Sequence, residues 1–273
     1  MHFFIAGTAV LCAAVTQVLT GFGFALVAIP LLMYVFPGYE AVLISMVLSV
    51  VLLGMQIKRN WKIARWDLIW RLTMIGLAGL VVGASVSDQL NAVHLKSVVG
   101  AAVLIYVLIQ WIQVERNRRS RSKESAITEM AATRDSDPLK RDTVKKAKAR
   151  LPKGFYVAGL FSGLLIGVVG MPGPPVVAVL VQFLKKDVFR ATVIHYFLIN
   201  YFLALAFAFF IFHKESQVNV LLAAAGLIIP LMIGYIIGQP ISKFVHDDHF
   251  QRIVFSLLII VGLTAIWPAI ASL

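Results

Sequence analysis

Two short stretches decide how this chain is read: Thr20-Gly21-Phe22-Gly23 and Gly170-Met171-Pro172-Gly173-Pro174-Pro175. Each interrupts a run of apolar residues with glycine or proline, the residues a helix interior tolerates least. Around them, apolar segments fall at 3–19, 22–36, 40–57, 68–86 and 95–114, and then at 155–170, 174–184, 189–212, 218–237 and 251–271. A helix rises about 1.5 Å per residue and a bilayer core is about 30 Å thick, so about 20 residues cross it. The piece 174–184 covers only about half that distance. Short, Gly/Pro-interrupted apolar pieces at matching positions of two halves are the pattern of discontinuous helices in a transporter.

Composition agrees. Of 273 residues, 60% are apolar and 14% charged, against roughly 45–50% and 25% in soluble domains. An ordinary soluble enzyme is excluded, and the expected fold is an all-α polytopic membrane protein. A shift of 155 lays Gly79-Leu80-Val81-Val82-Gly83 on Gly234-Tyr235-Ile236-Ile237-Gly238, Ser87 on Ser242 and His94 on His249. A shift of 150 lays Ala41 and Ile44 on Ala191 and Ile194. The ordered matches, with both breaks in register, predict two inverted repeats. Each has a broken or re-entrant helix pair plus three spanning helices. The repeats are expected at 1–114 and 154–273, joined by a linker at 115–153.

That linker carries 13 of the 25 Lys and Arg and 6 of the 13 Asp and Glu, hence +7 of the net +12. Its charge places it on the cytoplasmic side of a bacterial-type inner membrane. Its basic clusters are suited to anionic lipid headgroups. Without interleaved aromatics it does not point to nucleic acid. Met1–Leu19 lacks a basic n-region and reads as a retained membrane segment. Cys12, the single cysteine, has no partner within the chain. His246-Asp247-Asp248-His249 lacks the spacing of a metal site, so no metal and no cofactor is expected. Trp61, Trp66 and Trp70, with Lys62, Arg65 and Arg71, read as an interfacial belt. No nucleophile elbow, phosphate loop or hydrolytic triad is present, so no enzymatic activity is expected.

The candidate binding residues lie at the breaks. A helix restarting after Gly23 or Gly173 presents N–H groups without intrahelical acceptors and the positive end of its dipole, which together suit an anion. Gln17, Thr20, Gly21, Phe22 and Gly23 form the first candidate set, and Gly170, Met171, Pro172, Gly173 and Pro174 the second. Kinks between tightly packed helices would leave the same pattern. His195, Asn200 and Tyr201 are polar residues within a span, where burial is costly and function is the default hypothesis. Histidine is the side chain suited to exchanging a proton near neutrality, so His195 is the candidate for proton coupling; Ser45 is its neutral counterpart in the first half. Arg190 is expected to extend to the membrane interface.

Thr20-Gly-Phe-Gly-Phe-Ala-Leu-Val-Ala-Ile-Pro-Leu-Leu32 and Gly163-Leu-Leu-Ile-Gly-Val-Val-Gly-Met-Pro-Gly-Pro-Pro-Val-Val177 resemble the paired Gly/Pro motifs of the TauE/SafE sulfite-exporter family, also called the toluene sulfonate uptake permease family. Lys186-Asp-Val-Phe-Arg-Ala-Thr192 resembles the usual continuation of the second motif. The resemblance covers nearly the whole chain outside 115–153. It implies movement of sulfur-containing anions such as sulfite, thiosulfate, or C2 and aromatic sulfonates, coupled to an ion gradient. The common glycine-run form of the motif is replaced here by Gly170-Met-Pro-Gly-Pro-Pro175.

The functional expectation is a secondary transporter of small sulfur-containing oxyanions, with export as its direction and a proton or sodium as coupling ion. A homodimer is compatible with the pattern. Two alternatives stay open: a permease for a carboxylate or other metabolite anion, and a non-transporting membrane assembly protein.

Overall fold

Glu40, Asp67 and Asp187 each stand in the first turn of a long apolar helix, where a carboxylate offsets the positive end of the helix dipole. The computed structural model describes residues 2–36, 39–57, 61–87, 112, 153–184, 186–211 and 217–244. In it these helices are α3 (Glu40–Ile57), α4 (Trp66–Ser87) and α7 (Lys186–Ala206). The first half also contains α1 (His2–Thr20), α2 (Phe24–Leu32) and a 3-10 turn, Trp61–Ile63. The second contains α5 (Lys153–Val169), α6 (Gly173–Phe183), a π turn Phe207–Ile211 after α7, then α8 (Gln217–Gly226) and α9 (Ile228–Phe244). Outside the described residues lie 251–271, the linker apart from Lys153, His246 to His249 and, except for residue 112, the segment 95–114.

Among the described residues there is no strand. Phe3–Thr20, Glu40–Ile57, Trp66–Val86 and Asp187–Phe209 are each long and apolar enough to cross a membrane. The protein is an all-α polytopic membrane protein. The apolar run at 218–237 is not one straight helix: Val218–Gly226 and Ile228–Ile241 meet at 44°. Pro230, in the first turn of α9, has no N–H to continue the ladder of α8.

α3 and α7 pack on each other at the centre, and α2 packs on α3. In α2 every residue from Phe24 to Pro30 is buried. The flanking helices α1, α4, α5, α8 and α9 expose large apolar side chains such as Phe4, Met74, Phe161, Leu222 and Ile236, the surface that lipid covers. Inside a membrane, close packing rather than water exclusion joins helices.

That packing crosses between the halves. α4 lies along α5, and α9 along α1. A Cβ on Gly163 would fall 1.9 Å from the Gly76 carbonyl oxygen, and one on Gly79 2.2 Å from that of Leu160. One on Gly234 would fall 2.7 Å from the Leu11 carbonyl oxygen, and one on Gly238 2.9 Å from Val18 Cβ. The glycines aligned by the 155-residue shift therefore do the same thing in both halves: each admits the first helix of the other half.

Candidate functional site

The first break begins where α1 runs out. Gly21 takes a left-handed conformation (φ 83°) and its N–H bonds the Gln17 carbonyl at 2.8 Å, an αL cap that glycine forms without a Cβ penalty. Gly23 (φ 108°) then caps α2, accepting the Val27 N–H at 3.2 Å. The Gln17 side chain, 2% exposed, spans the gap. Its Nε2–H donates to the Gly21 carbonyl at 3.2 Å, and its Oε1 accepts the Phe24 N–H at 3.0 Å. Thr20 Oγ1 donates to the Thr16 carbonyl at 2.8 Å and accepts the Phe22 N–H at 3.2 Å. In this conformation both side chains serve the break's own backbone. Of the first-turn amides of α2, that of Phe24 is taken by Gln17; those of Ala25 and Leu26 have no intrahelical acceptor.

The second break ends its helix in the same way. Gly170 is left-handed (φ 72°) and its N–H bonds the Ile166 carbonyl at 3.0 Å. The restart differs. Pro172 (φ −73°) is the N-cap of α6, and Pro174 and Pro175 follow Gly173 in the first turn. Two prolines leave Gly173 as the one residue of 173–175 with an amide hydrogen. The Pro172 carbonyl accepts the buried Ser162 hydroxyl, which in turn accepts from Tyr196 Oη at 3.0 Å. Met171 is buried at 1% exposure.

Each break is covered by the opposite half. A Cβ on Gly21 would lie 2.8 Å from Arg190 Cγ, Arg190 Nη2 donates to the Val18 carbonyl at 2.5 Å, and Phe22 meets Phe189 edge-on at 6.3 Å. Arg190 thus folds onto the first break, where its guanidinium meets an end-of-helix carbonyl. A Cβ on Gly170 would lie 2.7 Å from Val42 Cγ1 and 3.3 Å from Ile29 Cδ1, and one on Gly173 3.4 Å from Phe197 Cζ. The breaks meet α7 at different heights, Arg190 and Phe197, about 10 Å apart along the helix. α2 connects them, since Ile29 reaches Gly170.

The polar residues of α7 face three directions. His195 packs against Trp61 and Trp66, with ring centroids at 5.4 and 5.1 Å; only Trp70 of that trio, 55% exposed, is left outside the cluster. Asn200 Nδ2 donates to Thr73 Oγ1 at 3.2 Å and to the Tyr196 carbonyl at 2.8 Å, tying α7 to α4. Tyr201 is buried with its ring edge-on to Phe197 at 6.4 Å. Sequence reasoning passed over Ser162, Tyr196 and the contact of Arg190 with the first break. The first two carry no special spacing, and an arginine at the start of a span reads as an interface residue.

Among the described residues, no group of three or more His, Cys, Asp or Glu is arranged to hold a metal ion. No curated protein and no solved structure matches the chain. The family model described as Sulfite exporter TauE/SafE matches residues 6–265, a span that contains both breaks, all of α7 and every cross-half contact just described. On that match, the chain belongs to the TauE/SafE sulfite exporter family.

Proposed function

We propose that this chain is a secondary transporter of small sulfur-containing oxyanions, sulfite or organosulfonates, working by alternating access with export as its direction. The observation that carries this reading is the single family match running through both breaks. The proposed anion site is the first break, with the Ala25 and Leu26 amides, the positive end of α2 and the guanidinium of Arg190. The second break, about 10 Å away along α7, offers the Gly173 amide and the end of α6 as a separate contact point on the path. Each helix end is worth about half a unit charge. At the first break the end of α2 and Arg190 together suit a mono- or dianion, and low dielectric strengthens each contact. His195 carries a coupled proton; sodium is the other coupling ion to test. The linker faces the cytoplasm of a bacterial-type inner membrane.

A second reading has one observation in its favour. Pro174 and Pro175 leave the second break poor in donors, and a two-oxygen carboxylate asks for fewer donors than a three-oxygen sulfonate.

Counterflow in proteoliposomes separates these readings, because it assumes neither direction nor driving ion. Vesicles loaded with sulfite, sulfoacetate, taurine, an aromatic sulfonate or a dicarboxylate are expected to exchange the labelled sulfur anions in preference to the carboxylate. Gly173→Leu is expected to abolish that exchange, since its side chain must extend beyond a Cβ already 3.4 Å from Phe197. Exchange of the carboxylate alone would transfer the site to the second reading. No exchange of any of them, from folded protein, would end the transport reading and favour a membrane assembly role.

A further inference from the structure

His195 is 1% exposed, and its Nε2 has no hydrogen-bond partner among the described residues. The other ring nitrogen, Nδ1, lies 2.7 Å from the Ala191 carbonyl oxygen. A carbonyl only accepts, so Nδ1 carries the hydrogen and Nε2 is where a second proton binds. Against this ring stand two indoles, Trp61 and Trp66, with interplanar angles of 70° and 69°. The indoles pack on each other at 4.6 Å, and Trp66 Nε1–H donates to the Trp61 carbonyl at 3.4 Å. Their segment is pinned to α7 one turn earlier, where the Arg65 N–H donates to Thr192 Oγ1 at 3.1 Å. A buried titratable nitrogen is thus set beside two π systems.

We propose that Trp61 and Trp66 are positioning residues for a proton on His195, forming a clasp that tightens the 61–66 segment onto α7 when Nε2 is protonated and loosens when it is bare. The clasp deepens the coupling role given to His195 above and rests on that reading. In a T-shaped pair an imidazolium whose edge points at an indole ring is attracted by the ring quadrupole, an attraction the neutral ring lacks. Trp61 is 57% exposed, so the outer jaw has room to move. The elements packed on α7 carry few competing ionisable groups. The 61–66 segment brings Lys62 and Arg65, α4 brings Asp67 and Arg71, α3 brings Glu40, α5 brings Lys153 and Tyr156, and α6 brings none. On α7 itself are Lys186, Asp187, Arg190, Tyr196 and Tyr201. Asp67 is paired with Arg65 at 2.8 Å, and Arg190 is engaged at the first break.

The chain has five tryptophans, so replacing Trp70, Trp111 and Trp267 by Phe leaves the two jaws as the only indoles. In nanodiscs without substrate, emission from this parent is expected to fall on acidification along a one-proton curve, because an imidazolium quenches an adjacent indole. Acrylamide access to the jaws is expected to fall with it. His195→Gln should flatten both curves while keeping the thermal transition, and His195→Asn serves as a second replacement. A flat parent, or a titration that persists in the His195 variants, overturns the clasp. A clasp that titrates in protein that exchanges no anion would leave the clasp standing and remove the transport reading instead.

Discussion

Gln17 makes the sharpest case at the scale of one residue. A buried amide in a membrane helix is costly unless both its ends are met, and here the two ends meet the two backbone groups that the break would otherwise strand. Gln17→Leu keeps the volume and removes both partners, leaving the Phe24 N–H and the Gly21 carbonyl unpaired in a buried position. An unmet buried group costs about 1–3 kcal/mol, so the variant is expected to unfold at lower temperature in detergent, by an amount equivalent to about 2 kcal/mol or more. Gln17→Glu should fall short of wild type too, because a carboxylate accepts from Phe24 but cannot donate to Gly21. Unchanged stability with lost substrate binding would mean that the amide serves the ligand and not the break. Gly21 is constrained from two sides, by its left-handed φ and by Arg190 Cγ at 2.8 Å from a Cβ there, so a larger residue at that position is strained and displaces the arginine.

Among the elements, the α4–α5 pair depends most on small residues. Gly76, Gly79 and Gly83 on α4 meet Gly159, Gly163 and Gly167 on α5, and any Cβ on Gly79, Gly83, Gly163 or Gly167 would fall 2.5 Å or less from a backbone oxygen of the facing helix. Backbones this close gain dispersion and Cα–H···O contacts along the seam. Gly163→Ala has to push one helix off the other, and is expected to cost about 1–3 kcal/mol as overpacking does. Gly54 is the internal control: a Cβ there meets nothing within 4 Å, so Gly54→Ala in α3 is expected to leave stability unchanged or raised by up to about 1 kcal/mol. Thermal unfolding of the two variants side by side checks the pair, and equal midpoints would show that the α4–α5 seam is not close-packed in the membrane. The glycines themselves were plain in the sequence. Their partners were not, because a stripe of small residues says that a face is narrow without saying which helix will occupy it.

For the molecule as a whole, the question is why the halves hold together, and the same division between local and non-local information answers what was readable. Among the described residues, the apolar segments of the first 86 positions and those at 155–170, 174–184 and 189–212 follow from rules that act within a few residues, and both breaks stand where the sequence puts them. Arg190 and Trp66 depend on contacts with distant chain segments, and in so apolar a chain every helix face is a plausible partner for every other. What the packing adds is reciprocity: α1 is seated on α9, α5 on α4, Gly21 is covered by Arg190 and Gly170 by Val42 and Met46. Neither half therefore has a complete surface for its own first helix, and each break is walled by the other half. We propose that the linker acts as a tether, and cutting a tether costs chiefly effective concentration. Residues 1–114 and 154–273 expressed as separate chains are accordingly expected to co-purify when made together and to aggregate or degrade when made alone. Gly163→Leu in the second chain should abolish the co-purification, since it removes the seat shared with Gly76. A first half that is monodisperse and thermally stable by itself would show the halves to be independent, and would leave the covering of each break by the other half without a structural role.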